Sequence, residues 1–194
     1  MNRRALLVST VAIVAAAGIG ASYVLNSSQV ADTLAVGGPF RLIGTDGQEV
    51  TEAALKGKFA LFYFGFTFCP DACPTALNTF SLVLSKLGPD ADRIQPVFVS
   101  IDPARDTPAA MKEYLSSFDP RIVGLTGTPE AIAETAKAFR VYYAKQGDGE
   151  FYLMDHSTAI IVMGPDYHYA GVLAGNMQPD EMVTRLKDIV AQGN

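Results

Sequence analysis

The chain of 194 residues has no tryptophan, two cysteines and two histidines. Each scarcity excludes something. An iron–sulfur cluster normally takes four cysteines, and a structural zinc site takes four ligands, so two thiols alone complete neither. No block of Lys and Arg is present and the net charge is −5, so no basic face suits a phosphate backbone and nucleic acid is not an expected partner. There is no low-complexity tract and no repeat at solenoid period. What is present is apolar: hydrophobic residues make up 49% of the chain, enough for one domain with a sizeable core and an appendage.

The appendage is N-terminal. Arg3 and Arg4 precede an uncharged run from Ala5 to Leu25. A bilayer core of roughly 30 Å needs about 20 apolar residues as helix, whereas a cleavable signal has a core of roughly 7–15. Residues 1–25 therefore read as a transmembrane anchor, with Arg3 and Arg4 on the cytoplasmic side. Cleavage near the Ala-rich stretch Ala15–Ala17 is the alternative. No Arg- and Ser-rich transit peptide precedes the run, which points to the inner (cytoplasmic) membrane of a bacterium, a single pass and a periplasmic domain. Residues 26–36 are small and polar and read as a linker to a domain over 37–194.

Within that domain, Thr45-Asp46-Gly47 is a hairpin signal between two short strands at 40–43 and 48–50. Lys58 to Phe66 is a near-continuous apolar run rich in aromatics, as in a buried central strand. Leu77, Phe80, Val83, Leu84 and Leu87 fall on one helical face, and Gly88-Pro89 ends that helix. Ile94 to Ile101 reads as a second buried strand. Thr107-Pro108 and Thr128-Pro129 each read as a helix start, with a short strand at 122–125 between those helices. Gln146–Gly149 and Gly164–Asp166 are turns between further strands, and Pro179 opens a last helix. Strands alternating with helices predict an α/β domain with a mixed sheet.

Both cysteines lie in F-C-P-D-A-C-P, just beyond the carboxyl end of the central strand, where such sheets carry their sites. Cys69 and Cys73 are a redox pair, half of a metal site, or a structural staple. The staple is the weakest of these, because so short a loop constrains little of the unfolded chain. Thiolates are soft ligands that suit Cu(I), and two thiolates with one imidazole suffice for copper. His168 follows Pro165 near a turn tip and is expected in solvent. His156 stands just ahead of the apolar strand from Thr158, where it can reach a neighbouring loop. Pro70 and Pro74 disfavour helical geometry at the residues before them, so the pair is expected in a looped turn leading to a helix from Pro74. That helix N-terminus is expected to favour the thiolate form of one or both cysteines. Met154, Met163 and Met177 read as core fillers.

Three segments together, F-x-F-C-P-D-A-C-P, S-I-D-P-A-R-D-T-P at 100–108 and D-H-S-T with G-P-D at 155–166, resemble the Sco/SenC family. The resemblance covers roughly residues 35–191 and implies a thioredoxin-like fold with a mixed β-sheet flanked by helices, an N-terminal β-hairpin and an N-terminal transmembrane helix. It implies that Cys69 and Cys73 are copper-binding thiolates and a redox pair, with His156 as the third ligand to Cu(I) or Cu(II). Asp102, Arg105 and Asp106 are implied to line a loop near the site and to meet a partner. Asp155 is placed either to orient His156 or in solvent. The implied function is a membrane-anchored metallochaperone, a binding protein that delivers copper to the CuA site of cytochrome c oxidase during assembly. Its partners are the CuA-bearing subunit, another periplasmic copper chaperone or a thioredoxin-like reductant, and the membrane. The competing reading is a thiol-disulfide oxidoreductase acting on cysteines of the oxidase copper site or of other extracytoplasmic proteins, with a thiol peroxidase as a third.

Overall fold

A computed structural model describes residues 36–149 and 151–192. The Asp46-Gly47 turn, with Gly47 at positive φ, closes an antiparallel hairpin of β1 (Arg41–Gly44) and β2 (Glu49–Thr51). The apolar run forms β3 (Phe59–Gly65), in which every residue is buried. It is followed by the cysteine loop, helix α1 (Ala72–Leu87) and strand β4 (Ile94–Ser100). Helix α2 (Pro108–Leu115), strand β5 (Val123–Thr126) and helix α3 (Pro129–Ala138) come next. The Thr107 hydroxyl accepts from the Ala110 amide and the Thr128 hydroxyl from that of Ala131, and a proline fills the first helical position after each threonine. These are ordinary N-terminal caps. Strands β6 (Tyr143–Gln146), β7 (Leu153–His156), β8 (Ile160–Met163) and β9 (Tyr169–Leu173) precede the last helix, α4 (Pro179–Gln192).

The main sheet has the order β2-β1-β5-β4-β3-β8-β9. Strand β3 runs parallel to β4, and β4 parallel to β5, while β8 and β1 join the parallel centre antiparallel. This is the expected mixed sheet with helices, and the hairpin is its edge. Helix α1 packs on α4, α2 on β5 and α3 on β1. The interior is aromatic: Phe62 meets Phe139 at 4.4 Å between ring centroids, and Phe64 meets Phe139 at 5.4 Å. Full burial of such a side chain contributes about 1.5–3 kcal/mol. Met163 is in this core, with Met154 and Met177 packed against it, as the sequence pattern predicts.

Strands β6 and β7 pair with each other and form a separate two-stranded sheet. The expected hairpin is thus an arm outside the main sheet, and it places His156 at its end, four residues before β8. The proposed membrane run, residues 5–25, and the linker up to residue 35 lie outside the described residues. No helix among the described residues is long and apolar enough to cross a membrane.

Candidate metal centre

Helix α1 starts earlier than the prolines predict. It begins at Ala72, so Cys73 and Pro74 both lie in its first turn, and only Cys69 is in the loop. First-turn amides have no partner within the helix, so the missing N–H of Pro74 removes nothing there. The first helical bond runs from the Thr75 amide to the Asp71 carbonyl. No side-chain oxygen caps this helix. Instead the Cys73 amide donates to Cys69 Sγ at 3.4 Å, so the first sulfur takes the place of a capping oxygen.

Cys73 is fully buried and Cys69 half-buried, and both thiols are free. Cys73 Sγ lies 3.6 Å from His156 Nε2, and the ligand atoms of Cys69, Cys73 and His156 all lie within 4.8 Å of one another. Bonds of about 2.0–2.3 Å to one soft ion place donors within about 4.6 Å of each other, so this group could hold one ion with little closure. The sequence set of three is thereby brought together. His168 stays out of it, 86% exposed beside Asp166.

The imidazole is aimed by its surroundings. Tyr63 and Phe66 meet it edge to face at 6.0 and 5.9 Å. Its Nδ1 lies 3.0 Å from the Ser157 carbonyl, the bond that fixes the Nε2 face toward sulfur. Asp155 has no part in this. It is exposed and accepts a hydrogen bond from Gln146, because alternate residues of β7 face opposite ways. Gly65 ends β3 beneath the site, where a Cβ would stand 2.6 Å from Cys73 Sγ and 2.7 Å from Phe98 Cε2. A glycine inside a buried strand signals such a close approach, and sequence reading passed over it.

Asp102 and Asp106 are buried, so neither offers its carboxylate to a partner as the sequence reading expects. Asp106 accepts from the Thr67 amide and hydroxyl and from the Ser100 hydroxyl, tying the start of the cysteine loop to the end of β4. Burial pushes its carboxyl above the ordinary range against the pull of those hydrogen bonds.

The helix N-terminus does not make Cys73 acidic. Burial pushes its thiol well above the usual range and the neighbouring Cys69 adds to the push, although the Phe66 backbone and the Tyr63 hydroxyl oppose it. Burial likewise raises Tyr63 and Tyr114. Groups that resist ionising only when folded contribute stability that is fully present below their unfolded values, about 8.5 for a thiol and 10 for a phenol. That stability is lost as pH rises through the folded values. The reduced, metal-free chain is therefore expected to lose stability steadily above about pH 8.5. The check is denaturant unfolding between pH 7 and 11, and a flat profile contradicts the burial of these groups. The Cys73→Ser variant is expected to lack the earliest part of the loss.

Comparison with known proteins gives concordant matches. The SCO1/SenC family model matches residues 28–191. Protein SCO2, mitochondrial, of Saccharomyces cerevisiae is 38% identical over 167 residues, which cover 84% of this chain and 56% of the relative. The chain thus spans little more than half the length of that relative. The crystal structure of Arabidopsis thaliana ScoI with copper bound superposes with a TM-score of 0.77 at 39% identity, over 81% of this chain and 99% of the other. The structure of Bradyrhizobium japonicum ScoI with copper bound gives a TM-score of 0.74 at 45% identity, over 80% and 99%.

Proposed function

The chain belongs to the SCO1/SenC family, and on that premise we propose that it is a copper metallochaperone whose cargo sits between Cys69, Cys73 and His156. The observation that carries the reading is the convergence of two free thiols and one imidazole nitrogen within 4.8 Å. Two similar proteins have been solved with copper bound. Two thiolates and an imidazole suit Cu(I), and an imidazole-containing thiolate set also accommodates Cu(II).

Loading requires both cysteines reduced, because a disulfide has no thiolate to donate. It also requires the buried Cys73 to release its proton, which a bound cation makes favourable. Cys69 and His156, both half-buried, are the ligands an incoming protein can reach, while Cys73 holds from below. Release then proceeds by ligand exchange, with Cys69 and His156 letting go before Cys73. In this reading the receiver is the CuA-bearing subunit of cytochrome c oxidase, and loading comes from another periplasmic copper chaperone after a thioredoxin-like protein has reduced the pair. Residues 1–25 anchor the protein in the inner membrane, residues 26–36 are a linker, and residues 37–194 form the periplasmic copper-binding domain.

The proximity of the two sulfurs also supports a second reading, thiol-disulfide exchange. Cys69, the more exposed sulfur, attacks a target disulfide and Cys73 resolves the mixed disulfide, so the target gains two thiols as the pair becomes a disulfide. His156 separates the two readings. In the His156→Ala protein, tight copper binding is expected to disappear while dithiol exchange continues near the wild-type rate. Copper binding by His156→Ala at wild-type strength overturns the site assignment.

A further inference from the structure

We propose that Tyr152, gripped by Asp102 and Arg105, is a positioning residue that holds the β6–β7 arm so that His156 faces the two cysteines. The inference rests on the three-ligand site above and adds what sets its third ligand. The arm needs such a device. It pairs with no strand of the main sheet among the described residues, and an isolated two-stranded hairpin is marginal in water. Yet it must keep Nε2 at 3.6 Å from Cys73 Sγ.

The pattern of β7 shows where the hold is applied. Tyr152 stands immediately before β7. Tyr152, Met154 and His156 are half-buried while Phe151, Leu153 and Asp155 are exposed, so the alternation of the strand extends back to Tyr152 and puts it on the side of His156. Whatever fixes the face at Tyr152 fixes it at His156, and a one-residue slip turns the imidazole to solvent. Tyr152 is fixed three ways. Its hydroxyl donates to Asp102 Oδ1 at 2.6 Å. Its carbonyl accepts from Arg105 Nη1 at 3.0 Å. Its ring is covered by the Arg105 guanidinium, 3.6 Å from the centroid, and approached by the Lys145 ammonium of β6 at 4.0 Å.

The same guanidinium reaches the other half of the site. It lies over Phe68 at 4.5 Å and near Phe66 at 5.9 Å, both in the segment that leads into Cys69. Asp102 orients it through Arg105 Nε at 2.5 Å. Its Nη2 is buried without a hydrogen-bond partner. One planar cation therefore joins the cysteine loop to the histidine arm. That makes Asp102 and Arg105 struts of the centre, and accounts for the burial of Asp102 and the largely covered side chain of Arg105.

The test is a double-mutant cycle on the full chain in detergent, reduced and titrated with Cu(I) against a competing chelator. Tyr152→Leu removes the ring and hydroxyl but leaves the Asp102–Arg105 pair. It is expected to weaken Cu(I) binding roughly ten- to a hundredfold in the wild-type background. In the His156→Ala background it is expected to change the residual affinity of the two thiols less than about twofold, because the strut then has nothing to position. Equal losses in both backgrounds overturn the proposal, since they mark general damage to the cysteine loop. Tyr152→Phe keeps the packing, loses only the hydroxyl, and is expected to fall between.

A metal-free readout stands apart from copper. In the reduced wild-type chain the His156 imidazole is expected to give NMR signals well displaced from those of exposed His168. In Tyr152→Leu and Tyr152→Phe they move toward the His168 values. Unmoved signals overturn the proposal. If the wild-type chain binds no Cu(I), the copper reading fails while this comparison still decides the strut.

Discussion

Gly65→Ala is expected to weaken copper binding roughly tenfold or more and to destabilise the reduced chain by about 1–3 kcal/mol. The added methyl meets Cys73 Sγ at 2.6 Å and Phe98 Cε2 at 2.7 Å, both far inside van der Waals contact. Neither neighbour has an easy retreat, since Cys73 sits in the first turn of α1 and Phe98 in the middle of buried β4. On strand propensity alone, replacing glycine with alanine gains about 0.5–1 kcal/mol, so overpacking decides the sign. The sulfur is the smaller obstacle and moves first, which takes it out of the ligand set. Copper titration and urea unfolding of the same preparation check this. A variant of wild-type affinity contradicts the claim that Gly65 makes room for the sulfur.

Asp106→Ala is expected to be the most destabilising single change near the site, by about 3–5 kcal/mol. Its carboxylate is fully buried and accepts from Ser100 Oγ at 2.7 Å, Thr67 Oγ1 at 2.6 Å and the Thr67 amide at 3.1 Å. Burial raises its carboxyl, so the charge is only partly compensated. Removing it nevertheless costs more than it relieves, because three donors lose their acceptor and the Ser100 hydroxyl among them is fully buried. Thr67 opens the loop that carries Cys69, so copper affinity is expected to fall with stability. Denaturant unfolding gives the answer, and a loss below about 1 kcal/mol contradicts the tie described here.

Much of this was legible in the sequence for reasons that can be named. The apolar run from Lys58 to Phe66 is too short for an ordinary helix and near-continuous, as in a buried strand, and Phe59–Gly65 within it form the central strand. The two Thr-Pro starts carry their own capping chemistry, and both helices begin there. With two histidines in the chain, the candidate beside the cysteines was nearly a binary choice, and turn position put His168 in solvent, where it lies.

What the sequence hid was relational. Nothing local shows that β1 lies beside β5, or that β6 and β7 leave the main sheet, since strand pairing over such separations is set by packing. The residue-before-proline bias misplaced the start of α1, because a first-turn proline leaves no helical bond unmade. The helix-terminus argument, made for one or both cysteines, does not hold at Cys73, where burial raises the thiol. Asp155 and Tyr152 were separable in principle, since they sit one and four residues before His156 and strand alternation puts only the latter on its face. The Asp102–Arg105 pair looked like a surface loop because charged residues are usually exposed. Its burial becomes visible only once the arm is laid over it.

The central claim is that three side chains form one copper site, and stoichiometric uptake tests it most directly. The full chain with its thiols reduced is titrated with copper while the absorption spectrum is recorded, in the wild type and in Cys69→Ser, Cys73→Ser and His156→Ala. The predicted result is one copper per wild-type chain, bound with sulfur-to-copper charge-transfer bands, and loss of tight binding in all three variants. A wild-type chain that binds no copper tightly yet rapidly turns over a disulfide substrate contradicts the account and leaves F-C-P-D-A-C-P as a redox motif.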